Sequence, residues 1–214
     1  MRSITLLFLF ITVFAYSQRF HSGVNVGLVT SQVDGDTYAG FTKLGFTAGG
    51  FVSKRFSADS KWNALFEINY IQKGSRKLPH PDKGDYSLYK LNLNYVEVPV
   101  LLSYDFRTTD TLLGLKNKFS LEFGLAFAAL VGSFEEDTYG QLPGATPFQK
   151  KDISVLAGIR YNLTKNIIFN IRTEYSALPV RKGGTSTYYQ NWTYKFIKPG
   201  YYNNLLCFVF HYDF

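Results

Sequence analysis

Read back from the chain end in steps of two, Phe214, Tyr212, Phe210, Phe208 and Leu206 form an unbroken apolar and aromatic set. The residues between them, Asp213, His211, Val209, Cys207, Leu205 and Asn203, are mixed. A period of two puts these sets on opposite faces of a β-strand, whereas a helix would scatter both around its circumference. Tyr202–Phe214 therefore reads as a strand with one wholly apolar face. It is long enough for the roughly ten residues that a tilted strand needs to cross a bilayer's hydrocarbon core. Two environments suit it: the interior of a soluble β-protein, and a membrane.

The same period recurs along the chain. Val24, Val26 and Leu28 share a face, as do Leu44, Phe46, Ala48 and Val52. Trp62, Ala64, Phe66, Ile68 and Tyr70 alternate with polar residues, and Phe119, Leu121, Phe123, Leu125 and Phe127 alternate with small ones. Ile153–Tyr161 and Ile167–Tyr175 complete the series. In Tyr89–Tyr104 the apolar set changes parity after Tyr95, as a β-bulge would produce, and Pro99 beside it cannot donate a ladder hydrogen bond. The expected architecture is all-β, a transmembrane antiparallel up-and-down barrel of about eight strands, the smallest usual size. Long polar connections (31–42, 75–88, 132–150, 176–200) alternate with shorter ones (57–61, 105–117, 164–166). That asymmetry predicts long loops outside and both mature termini in the periplasm.

The start of the chain reads as a leader. Arg2, the apolar run Leu6–Phe14 and the small residues of Ala15-Tyr16-Ser17 predict a signal peptide over 1–17, cut before Gln18, with one barrel domain over 18–214. The run is too short for a transmembrane helix. A retained N-terminal anchor is the alternative.

What stands opposite the apolar stripes decides between membrane and soluble barrels. Lys73, Lys90 and Asp152 lie there, with Glu67, Glu122, Arg160, Arg172 and Glu174, among Gly, Ala, Ser and Asn. Small residues suit a tight lumen, and the charges predict a buried ion-pair network, since unpaired charges there are costly. Glu122, Arg160, Arg172 and Glu174 fall on consecutive strands and are expected to pair across the ladder; Glu97 is a further lumen carboxylate. A solvated charged face, on a soluble lipocalin-like barrel binding an apolar ligand, is the alternative. An eight-stranded barrel has an interior just wide enough for side chains, so pore activity is not expected.

Composition narrows the function. Aromatics make up 18% of the 214 residues, which suits interfacial Tyr and Phe. The net charge is +7, but the basic residues form no dense tract, and nucleic-acid binding is not expected. A single cysteine, Cys207, excludes an intrachain disulfide framework and reads as a small buried thiol. His80 beside Asp82 and Asp85 is the one loop group with catalytic composition, and a solvated loop is the simpler reading. Asp34, Asp36 and Glu135–Asp137 lack the spacing of a calcium loop. No enzyme, cofactor or metal is therefore expected. Tyr188, Tyr189, Trp192 and Tyr194 mark a long loop suited to gripping a partner or glycan, or resting on lipid headgroups.

Two resemblances add to this reading. Phe210, Tyr212 and Phe214 resemble the C-terminal signature of bacterial outer-membrane barrels, which implies recognition by the barrel-assembly machinery. Glu67, Tyr70, Lys73 and Gly74, followed by Leu91–Tyr104 with its Val-Glu-Val-Pro core, resemble motifs of the PorT-like outer-membrane β-barrel proteins of Bacteroidota. That resemblance spans essentially the whole mature chain. It implies an outer-membrane barrel in contact with outer-membrane lipid, and a link to type IX-like secretion or envelope assembly with other envelope proteins as partners. The other class of function is a binding or adhesion module acting through the extracellular loops.

Overall fold

The computed structural model describes residues 20–36, 38, 40–57, 59–106, 119–142, 147–182 and 200–214. The leader, 1–17, and the aromatic loop residues Tyr188, Tyr189, Trp192 and Tyr194 lie outside them. Eight long strands run β1 (Phe20–Asp34), β2 (Lys43–Arg55), β3 (Trp62–Lys77), β4 (Tyr89–Asp105), β5 (Phe119–Asp137), β7 (Lys151–Asn162), β8 (Ile167–Ser176) and β10 (Gly200–Asp213). Two two-residue strands, β6 (Gly140–Gln141) and β9 (Arg181–Lys182), extend β5 and β10 toward the long loops.

Each long strand pairs antiparallel with its sequence neighbour, and β1 pairs with β10 from Gly23↔Asp213 to Asp34↔Tyr202. The eight long strands thereby close on themselves, and none of them is left as an edge to recruit another chain. The alternation read from the sequence becomes an inside and an outside. Leu28 is 65% exposed while its neighbour Val29 is 0%. Val24 and Val26, Phe123, Leu125 and Phe127, and Phe210, Tyr212 and Phe214 all point outward. An apolar exterior of this extent far exceeds what a protein presents to water.

β4 (Tyr89–Asp105) departs from the expected bulge. Its odd residues, Tyr89 through Ser103, face inward without interruption, so β4 does not change phase. What changes is the lumen. Toward the long loops it is filled by an apolar plug built from Val33, Ile71, Tyr89, Leu91, Leu93 and Leu205. Farther along it is ionic, and the apolar residues of β4 pass to the outside. Lys90, expected inside, consequently lies outside, 5.9 Å over the Phe134 ring. The register does shift, but on β5: Asn94 pairs with Gly132 and Tyr95 with Leu130, leaving Val131 as the extra residue. The β3–β4 register keeps the same offset on both sides of Pro99, but the ladder is interrupted there between Phe66↔Val100 and Asn69↔Glu97, as a residue without an N–H donor would cause.

One glycine in this frame is obligatory. Gly74 has φ +139° in β3, and a Cβ there would stand 2.0 Å from the Leu91 carbonyl oxygen. Its own carbonyl accepts from Ser31 Oγ at 2.9 Å, tying β3 to β1.

Candidate functional site in the barrel lumen

Glu67 on β3, Glu122 on β5 and Arg172 on β8 are each almost fully buried and point into the lumen. Counted around the closed sheet, β3 and β8 stand four strands apart in either direction, on opposite walls. Arg172 spans that distance. Its Nη1 and Nη2 donate to Glu67 Oε2 and Oε1 at 3.0 and 2.9 Å, and its Nε donates to Glu122 Oε1 at 2.7 Å. The planar guanidinium fork makes this bidentate contact possible, and a lysine could not reproduce it. Asn69 Nδ2 donates to Glu67 at 2.9 Å, and Asn25 Nδ2 donates to Asn69 at 2.9 Å. His211 Nε2 lies 3.3 Å from Glu67 Oε1. Gly158 leaves the room that this arrangement needs, since a Cβ there would stand 2.8 Å from Glu122 Oε1.

A second cluster sits nearer the apolar plug. Lys73 Nζ binds Glu174 on the opposite wall, Glu97 at 2.6 Å and Asp152 at 3.7 Å, and stands 5.2 Å over the Tyr95 ring. Asp152 Oδ2 also accepts from Ser176 Oγ and Asn203 Nδ2, both at 3.0 Å. The two clusters bring five carboxylates (Glu67, Glu97, Glu122, Asp152, Glu174) against three cations (Lys73, Arg160, Arg172).

All six residues singled out for the lumen are buried there, but they divide between the two clusters. Glu67, Glu122 and Arg172 interlock, with Arg160 Nε 3.9 Å from Glu122 Oε2. Glu97 and Glu174 belong to Lys73 instead. Sequence reasoning missed Lys73 as a hub, and it missed His211, Asn25, Asn69 and Asn203 as members. Inward parity was the available signal, and it does not say which wall a side chain reaches.

A latch lies beyond the plug, at the long-loop end. Arg181 Nη1 and Nη2 donate to Glu135 Oε1 and Oε2 at 3.0 and 2.5 Å, Tyr89 Oη donates to Glu135 Oε1 at 2.6 Å, and the guanidinium stacks 3.7 Å over Phe148. Glu135 is thus committed to this latch. Asp85 is committed too: Lys77, at 2.8 Å, and Ser87 hold its carboxyl well below the usual range. His80 meets Asp85 only through the backbone, its N–H donating to the Asp85 carbonyl at 2.7 Å. The loop therefore brings together no His–carboxylate pair. Among the described residues no cluster has the make-up of a metal site.

The model of the outer membrane protein beta-barrel domain family matches residues 14–178. The chain belongs to that family. Its apolar belt is accordingly the surface that meets outer-membrane lipid, and its long strands are transmembrane strands. Among solved structures it is similar to Ail of Yersinia pestis in complex with the heparin analogue sucrose octasulfate, at 14% identity and a TM-score of 0.45, over 92% of this chain and 99% of that one. It is also similar to Neisserial surface protein A, at 16% identity and a TM-score of 0.45, over 92% and 99%. OprG of Pseudomonas aeruginosa follows at 14% identity and a TM-score of 0.34, over 91% and 94%. No curated protein sequence matches the chain.

Proposed function

We propose that this outer-membrane barrel is a closed, non-catalytic scaffold of the PorT-like kind from Bacteroidota, serving envelope assembly or type IX-like secretion through the partners it holds. The observation that carries the reading is the doubly blocked lumen. Arg172 and Lys73 each cross it to the opposite wall, and the plug of Tyr89, Leu91 and Leu93 fills its next level. A barrel blocked at two levels transports nothing through its centre, which leaves the loops, rims and lipid-facing belt to act. The leader 1–17 is removed, and Phe210, Tyr212 and Phe214 are read by the barrel-assembly machinery. Support for that role is that Phe210 and Tyr212 lie outward on β10, the strand that closes the barrel, and Phe214 is exposed just past its end. Both mature termini are periplasmic, and Tyr188, Tyr189, Trp192 and Tyr194 bind partners.

Two measurements test this. Purified barrel in planar bilayers should give no discrete conductance steps; steady porin-sized steps would overturn the closed scaffold. Extraction from cells in mild detergent should bring envelope proteins along in fixed ratio. Purification of the barrel alone, with binding to host glycans or cells instead, would favour an adhesin.

A further inference from the structure

Arg160 is only 8% exposed, yet it is poorly matched by protein. Its Nε is 3.9 Å from Glu122 Oε2, beyond hydrogen-bond reach, and the other oxygen of Glu122 is held by Arg172. Among the described residues no acceptor hydrogen-bonds its guanidinium. Directly across the ladder stands Asn170, fully buried, with neither its amide nitrogen nor its amide oxygen partnered by protein. Buried donors left this way are costly unless something else meets them.

Arg160 lines a cavity of about 280 Å³ at the barrel end that carries the short turns and the start of β1. The other charged walls are Arg55, Asp105, His21, Asp213 and Lys165. Arg55 and Asp105 pair at 2.7 Å, and His21 lies 3.6 Å from Asp213. Arg160, at depth, has Glu122 as its ion partner but no hydrogen-bond acceptor among the described residues, and Lys165, on the tight turn between β7 and β8, has no ion partner among them.

We propose that this mouth binds a small phosphate-class oxyanion, with Arg160 as the buried anchor and Lys165 at the rim. The guanidinium fork suits two oxygens of a tetrahedral anion. Asp105 and Asp213 border the opening and disfavour a long polyanion. The phosphate can come from a soluble ester or from a phospholipid headgroup at the rim.

The test is a calorimetric titration of inorganic phosphate into the folded barrel in maltoside micelles, repeated in nanodiscs of phosphatidylglycerol. Saturable binding below about 10 mM is expected, weakened about tenfold or more in Arg160→Gln and severalfold in Lys165→Gln. Binding in micelles that is lost in nanodiscs identifies the headgroup as the source; binding retained in both identifies a soluble phosphate. Heat-modifiable mobility shows that each variant is folded. Should Arg160→Gln not fold, Arg160→Lys and Lys165→Gln decide the matter. No saturable binding to the unmodified protein, or equal affinity in the folded variants, overturns the proposal.

Discussion

Arg172 reaches across the whole barrel to Glu67, making two hydrogen bonds of 3.0 and 2.9 Å from one wall to the other. Neither residue is exposed, so each is the other's principal compensation for leaving water. Glu67→Ala leaves the buried Arg172 guanidinium with Glu122 alone, and Arg172→Met takes from Glu67 and Glu122 the cation that they share. Each single variant should lose about 3–5 kcal/mol of stability, the usual cost of an orphaned buried charge. The double variant should lose clearly less than the sum of the two. Urea unfolding in lipid vesicles, followed by heat-modifiable mobility, measures all three. Strict additivity would mean that the bridge does not hold the walls together.

Among the described residues Lys73 is the one cation paired with Glu97, Asp152 and Glu174. Replacing it with Met leaves three buried acids facing one another. We expect Lys73→Met to fold poorly, with a loss on the order of 3–5 kcal/mol. Adding Glu97→Gln and Glu174→Gln to the same chain should recover a substantial part, because the amides need no counter-charge. Refolding yield from urea across this series reads the effect. A triple variant no better than Lys73→Met would place the cost in lost packing against Tyr95 rather than in charge.

The strands, their faces and their closure were legible because a membrane barrel writes its inside and outside as alternating residues, and Val24–Leu28 or Phe119–Phe127 show this directly. The ion pairs were legible only as a set. Cross-ladder neighbours were the natural expectation for Glu122, Arg160, Arg172 and Glu174. The dominant contacts instead join β3 to β8, because eight strands close so tightly that an arginine spans the bore. Glu67 and Arg172 are 105 residues apart, and no periodicity reports such a distance. In β4 the apolar set moved from odd to even residues without any kink in the strand. Sequence alone could not separate a bulge from a lumen that is apolar at one level and ionic at the next.

Asp36, just past the long-loop end of β1, gives the protein a local pH response. Burial pushes its carboxyl up to about 6, and the bond from the Tyr38 amide to Oδ1 at 2.9 Å opposes this only in part. The folded form therefore holds this proton more tightly than the unfolded chain does. Its stabilising contribution is complete below the ordinary carboxylate pKa of about 3.9 and is lost as pH rises through 6. The Tyr38 amide resonance should shift with a midpoint near 6, and the protection of that amide against hydrogen exchange, after division by the intrinsic rate, should be lower at pH 7 than at pH 5. Asp36→Asn should flatten both curves. A Tyr38 midpoint below 4.5 would show that the carboxyl is not buried in the membrane-embedded protein.

The orientation of the barrel can be read with single cysteines, because the native one is silent. Cys207 is buried against the lumen wall and should not react with a membrane-impermeant maleimide in the folded protein. Lys83 lies in the 3₁₀ turn Pro81–Lys83 of a long connection, where no residue is buried. Asp59 is exposed on the short β2–β3 turn at the opposite end. If the mature termini are periplasmic, Lys83→Cys should label in intact cells, and Asp59→Cys should label only after the outer membrane is permeabilised. The inverse pattern would turn the barrel over and place the Arg160 mouth at the cell surface. The solutes available to that mouth would then be external ones, and the partner-bearing loops would face the periplasm.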